Sequence, residues 1–303
     1  MPITYHDVSA SAETLALAGL SDVTGKTGTG TSVVMDGATS ATPAASKIPI
    51  ADAAGKLDAW LTQMKTFANL VIQNNATNPN YQIDITADVI AIEDVVATSF
   101  SKTVDIAVSG ANGLDTGAEA ISTWYYVFAI AKADGTVASL LSLSSTSPSM
   151  PTGYTKKRRI GAVRNNGSSN FLLFVQENNR VNYLDGSFNN RVLSGGTALT
   201  ATTVSCAGYV PSTSRRIIAR NLLSITHGTA GTLIVCRLRQ TGSSATEGQC
   251  TASLFSQVSG LLVRATVVDD IETNSSQQLD YWLDIAPASG GANIDIFGYY
   301  DRI

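Results

Sequence analysis

From residue 81 to its end, the chain alternates apolar and polar residues with a period of two. Residues spaced in this way line opposite faces of a β-strand. Tyr81, Ile83 and Ile85 stand against Gln82, Asp84 and Thr86. Trp124 to Ala131 and Val137 to Leu143 flank an Asp134-Gly135 turn, which predicts a hairpin. Asn165-Asn-Gly-Ser-Ser-Asn170 joins Ile160 to Arg164 with Phe171 to Gln176 and predicts another. The run Phe171-Leu-Leu-Phe-Val175 is apolar on both faces and is expected to be covered on both sides. After Asp185 the predicted strands are Thr202 to Cys206, Arg215 to Ser224, Thr232 to Gln240, Leu261 to Val268, Leu279 to Ala286 and Ala292 to Tyr300. Short one-sided strands at such intervals, joined by Gly, Ser, Asn and Thr, predict a β-sandwich of jelly-roll type.

The chain before residue 81 reads differently. Up to about residue 50 it is rich in Gly, Ala, Ser and Thr, with too little bulk for a core of its own, and is expected to be extended or to fold against a partner. From Lys56 to Gln73, the residues Leu57, Trp60, Met64, Phe67 and Val71 recur at alternating intervals of three and four. This heptad stripe predicts a short helix, either a coiled coil or an ordinary amphipathic helix, since it runs for two heptads only. Asn74-Asn-Ala-Thr-Asn-Pro79 ends it. The expected order is thus an extended segment (1–50), a helical linker (51–80), a hairpin-rich module (81–184) and a sandwich (185–303), in a mainly β protein.

Composition sharpens this picture. Charged residues make up 15% of the 303 positions while Ser and Thr fill 65, so the surface must be rich in hydroxyls. No apolar run approaches the ~18 residues of a membrane helix, and no insertion into a membrane is expected. The first twenty residues hold no Lys or Arg, so the basic start of a secretory signal is missing. The net charge of −4 hides blocks: 6 bases and 14 acids over residues 1–140, 13 bases and 3 acids over 156–264, and 1 base and 7 acids over 265–303. Either neighbouring strands neutralise one another on folding, or the middle block forms a basic face for an anionic partner. The low overall pI and the lack of interleaved stacking residues argue against nucleic acid.

Candidate chemistry is sparse. Cys206, Cys236 and Cys250 are odd in number and lack ligand-knuckle spacing, so neither a disulfide framework nor a zinc site with His227 is expected. Cys236 shares strand parity with Ile234 and Leu238 and reads as a core residue. Gly25-Lys26-Thr27 lacks the glycine five residues upstream that a phosphate loop needs, because Leu20 is there. Of the two histidines, His6 lies in the weakly folded start and His227 in a polar turn. Asp269-Asp270-x-Glu272 offers oxygens but not the alternating pattern of a calcium loop. Asp280 and Asp284 share a strand face with Trp282 between them. Residues four apart on a strand are ~13 Å apart, too far for an acid and a nucleophile. That face reads either as a sugar platform or as a strand packed under a neighbour. No catalytic residues, cofactor or metal are expected.

Several segments resemble modules of tailed-bacteriophage virion fibres: Ser46-Lys-Ile-Pro-Ile-Ala-Asp-Ala-Ala-Gly-Lys-Leu-Asp-Ala-Trp60, the preceding Leu20-Ser-Asp-Val-Thr-Gly-Lys-Thr-Gly-Thr-Gly30, Tyr81 to Asp94, Trp124-Tyr-Tyr-Val-Phe, Met150-Pro-Thr-Gly-Tyr-Thr155 and Arg159-Ile-Gly-Ala-Val163. The likeness covers about residues 20–180; such modules are shared among tail fibres, head fibres and other appendages. It implies a structural, non-enzymatic homotrimer on the virion surface, made in the bacterial cytoplasm. Residues 1–50 would attach to a tail adaptor or the capsid, and the C-terminal domain would meet a host-surface glycan. The stripe Leu57, Trp60, Met64, Phe67 and Val71 is then the expected trimer contact. Arg215, Arg216, Arg220, Ser243, Ser244, Asn274 and Trp282 are the expected receptor contacts. Alternatives are a capsid head fibre without receptor binding and a glycan-cleaving tailspike, the latter lacking a visible β-helix repeat.

Overall fold

A computed structural model describes residues 67–184 and 190–303, together with two short strands upstream, β1 (Thr39–Ser40) and β2 (Ile48–Pro49), which pair in parallel. Every regular element among the described residues is a strand. Residues 65–303 form one compact unit.

The first half of that unit stacks two sheets. One contains β3 (Phe67–Ala68), β4 (Val71–Asn74), β5 (Gln82–Ile92), β6 (Val95–Asp105), β11 (Phe174–Glu177) and β12 (Arg180–Tyr183). The other has the order β10-β8-β9-β7, from β7 (Gly113–Leu114), β8 (Thr123–Lys132), β9 (Val137–Ser142) and β10 (Tyr154–Asn165). Ile72, Ile83, Ile85 and Ile90 of the first sheet bury fully with Tyr125, Val127, Ala129 and Ile160 of the second. Ile83, Ile85 and Ala87 of β5 follow one another at two-residue spacing, so the sequence alternation becomes a buried face, and the phase shifts by one residue before Ile90 and Ile92 bury. β8 is buried on both faces, because Tyr126, Phe128 and Ile130 form a second cluster with Leu140, Ala162 and Met150 on its outer side.

Three expectations are corrected here. The helix expected over 56–73 does not extend through its last turns, because Phe67 and Val71 lie in β3 and β4 and pair with Ile90 and Thr86. The β-branched Val71-Ile72 pair and the fully buried Ile72 favour a ladder against β5 over a two-heptad stripe. Leu57, Trp60 and Met64 lie outside the described residues. The second predicted hairpin is also replaced: β10 and β11 belong to different sheets, and the ladder between the two segments is reduced to a bridge between Asn165 and Phe171. The turn is closed by Asn166, whose Oδ1 accepts from Ser168 N and Asn170 N, and the chain then crosses to pair with β4 and β12. Leu173 consequently faces solvent, so the apolar run 171–175 is not covered on both sides. The Asp134-Gly135 hairpin forms as expected, with Gly135 at φ +86° and Thr136 N donating to Asp134 Oδ1.

The second half contains eight strands: β13 (Arg191–Gly196), β20 (Ser289–Asp301), β15 (Ser214–Thr226) and β18 (Val263–Glu272) continue the first sheet of that unit to ten strands, and β14 (Thr202–Ser205), β19 (Gln278–Leu283), β16 (Thr232–Gln240) and β17 (Cys250–Ser256) form a separate sheet of four, each in that order. Ile217, Ala219, Leu223 and Ile294 face Ile234, Cys236, Leu238 and Leu283 across the core. The sequence pattern missed β13 and β17. Gly195-Gly196 ends β13, and of the inward residues of β17, Cys250, Ala252, Leu254 and Ser256, all but Leu254 are small.

β20 joins the halves. Its first part pairs with β13, its last with β12, and β15 runs along its other edge. Around this junction Trp124 and Tyr183 meet the Tyr299 ring at centroid distances of 5.9 and 6.2 Å. Trp124 Nε1 donates to Ala207 O, Tyr183 OH to Tyr209 O and Tyr299 OH to Ala162 O. A Cβ at Gly298 would collide with the Val181 carbonyl oxygen. Gly298→Val should therefore cost about 1 to 3 kcal/mol, read as a lower urea midpoint. An unchanged midpoint would show that the β12–β20 pairing contributes little.

Candidate functional site

In β16 and β19 the inward residues are apolar, so Arg237, Arg239, Asp280 and Trp282 fall on the outer face of their sheet. There the Asp280 carboxylate is 6% exposed. Its Oδ1 accepts from Thr203 Oγ1 (2.9 Å) and Thr241 Oγ1 (2.8 Å). Arg239 Nε lies 3.6 Å from its Oδ2, and the Arg239 guanidinium stands 5.0 Å from the centre of the Trp282 ring. Arg239 Nη1 also donates to Ala245 O, which fastens the loop 241–249 over this end of the sheet. Arg237 is the cross-strand neighbour of Trp282 and has a 3.8 Å contact with Glu247, whose side chain is 88% exposed. A half-buried indole between two guanidiniums, beside a desolvated carboxylate, can stack on a sugar ring and offer donors to its hydroxyl or acid groups.

The expected receptor residues do not gather on one surface. Trp282 and the loop bearing Ser243 and Ser244 share this face, with Ser243 Oγ accepting from Ala245 N within the loop. Arg216 and Arg220 lie on the outer face of the opposite sheet. Arg216 pairs with Asp270 (3.0 Å) over the Tyr300 ring, and Arg220 donates twice to Asp295, which also accepts from Arg191. Arg215 donates to the Ser212 and Ser214 carbonyls, and Asn274 closes the β18–β19 turn by accepting from Ser276 N and Gln278 N. Known proteins do not extend this picture. No family model matches the chain, and no curated protein matches it.

The charge blocks meet across the strands. Of the seven ion pairs among the described residues, six join a base of 156–264 to an acid outside that block, such as Lys156 to Asp94 and Arg159 to Asp301. Arg237 and Arg239, which were not among the expected contacts, were legible as the polar parity opposite Cys236 and Leu238. Asp284 lies beyond the end of β19, where its Oδ1 accepts from Val235 N. His227 Nδ1 accepts from Thr229 N in its own turn. Among the described residues no group of three or more His, Cys, Asp or Glu side chains is placed to hold a metal.

All three cysteines are buried and free. Burial pushes the thiols of Cys206 and Cys236 up to about 12 and that of Cys250 to about 11, from an ordinary 9.0. Burial likewise holds the phenols of Tyr183 and Tyr299 well above 10.0. In each case the fold favours the protonated form, so its contribution is intact below the unfolded value of about 9 to 10 and is lost as pH rises toward 11 to 12. The urea midpoint should be flat from pH 7 to 8.5 and fall above pH 9; a midpoint still flat at pH 11 would refute this assignment. Asp280→Ala removes the acceptor of two hydroxyls and the counter-ion of Arg239. It should cost about 2 to 3 kcal/mol by chemical denaturation, with a loss below 0.5 kcal/mol counting against a buried anchor.

Proposed function

We propose that the chain is a bacteriophage fibre protein, a homotrimer fixed to the virion by residues 1–50 and meeting a host-surface glycan through its C-terminal sandwich. The observation that carries the host-contact reading is the outer sheet face where Trp282 stands between Arg237 and Arg239 above Asp280. The strand orders β13-β20-β15-β18 and β14-β19-β16-β17 support reading 191–301 as a jelly roll, in which each layer draws on strands from both halves of the domain. That architecture recurs in viral and lectin domains, which is analogy and agrees with the reading without replacing the site argument. The resemblance of residues 20–180 to fibre modules supplies the virion, the trimer and the absence of catalysis. Single sites on such an open face bind weakly, and three copies reaching one surface raise the avidity.

A second reading, a capsid head fibre without receptor binding, draws on the internal partners of Asp280, whose hydroxyl and guanidinium contacts all come from its own chain. A tailspike is less well supported, since the ladders of β3–β6 and β10–β20 are antiparallel.

The full chain should bind host cells and compete with phage adsorption. Trp282→Ala should lower binding at least about tenfold, a loss of roughly 1.4 kcal/mol, while Arg216→Ala on the opposite sheet leaves it unchanged. A folded wild-type chain that neither binds nor competes would transfer the assignment to the head-fibre role.

A further inference from the structure

The four loops 197–201, 227–231, 257–262 and 284–288 lie together at the end of the sandwich away from the aromatic junction, since β15 and β18 begin or end there opposite the start of β20. The junction end is marked by Ala207 and Tyr209, whose carbonyls accept from Trp124 and Tyr183. Seven of the fifteen large apolar side chains that are exposed among the described residues cluster at the far end. Ile285, Leu233 and Phe255 follow one another at the ends of β19, β16 and β17, with Leu233 and Phe255 as direct cross-strand partners. Val258, Leu261 and Leu262 continue the row into the next loop, each more than half exposed.

This surface is built rather than frayed. Gly231 N donates to Ser256 O, Gly260 N to His227 O and Ser259 Oγ to Gly228 O, so the loops 227–231 and 257–262 hold each other. Its centre is free of charge: no Asp, Glu, Lys or Arg occurs in 221–236, 248–263 or 285–294, and Asp284, whose Oδ1 accepts from Val235 N, and Arg264 stand at its rim. β17, an edge strand of its sheet, has neither a charge nor a proline along its length, the usual guards of an exposed edge.

We infer that this apolar end, centred on Leu233, Phe255 and Leu261, is where copies of the chain pack against one another. When one surface meets itself around an axis, any charge on it faces its own copy. A patch with charges only at its rim suits that contact, whereas a host glycan or a charged protein would be met by groups of the kind found around Trp282. The inference deepens the trimeric reading above and rests on it. It also gives the assembly a contact in the β domain, which is needed because Phe67 and Val71 are committed to sheets.

The test uses the full chain. Light scattering of the wild type should give an oligomer, and Phe255→Glu, still β-rich by circular dichroism, should raise the apparent dissociation constant tenfold or more. Leu261→Cys supplies a positive readout, because the native thiols are buried and protonated. Under mild oxidation it should give disulfide-linked pairs that the wild type does not give. If Phe255→Glu unfolds, the Leu261→Cys link alone decides. A trimeric wild type whose Leu261→Cys variant stays unlinked and whose Phe255→Glu variant keeps its mass overturns the inference and leaves the fibre reading standing. If that unchanged trimer loses host-cell or phosphatidylcholine-vesicle binding, the patch faces the host instead, which also overturns it. A monomeric wild type overturns both this contact and the trimer.

Discussion

The 65–303 unit depends on one strand having partners along its whole length. β20 lies at the end of the chain, yet it pairs with β15 along one edge and with β13 and then β12 along the other. Its ladder partners arise between 63 and 120 residues earlier in the chain, from Thr226 opposite Ser289 to Arg180 opposite Tyr300. Its side chains divide the same way. Ile294 and Ile296 enter the sandwich core, and Tyr299 enters the aromatic cluster with Trp124 and Tyr183.

The charges follow from this strand. Asp295 is fully buried on β20 and accepts from Arg191 of β13 and Arg220 of β15, so one carboxylate links three adjacent strands. Asp301 accepts from Arg159 of β10, which also donates to the Arg302 carbonyl. Ion pairs taken out of water in this way are weak evidence for stability. They are strongly destabilising when half of one is removed, because a lone charge is left buried. Much of the basic block of the sequence is consequently spent on register between strands.

Two surfaces of the sandwich then differ in kind. The face around Trp282 carries cations, an indole and a loop of hydroxyls, while the end around Phe255 carries apolar side chains with charges only at its rim. The first has the chemistry for a polar, ring-bearing ligand and the second for another apolar surface. A single chain that offers both has the means to assemble and to bind at separate places, so one role need not compete with the other.

Much of the β architecture was legible from the sequence by itself. Alternation located six of the eight strands of the sandwich, and Asp134-Gly135 located a hairpin, because strand side chains have a fixed period of two and a positive φ at glycine has a local signature. Alternation also placed Cys236 in the core and put Arg237 and Arg239 on the opposite face. Other features were decided only by tertiary structure. Phe67 and Val71 fit a helical stripe and a strand equally well until burial of Ile72 against β5 selects the ladder. β17 carries too little inward bulk to announce itself, and β11 leaves its sequence neighbour β10 for β4, more than a hundred residues away. Arg216 and Arg220 fell on a different sheet from Trp282. The period of a strand states which residues share a face, but which strands lie side by side is set by long-range pairing and common burial, and no local pattern encodes that.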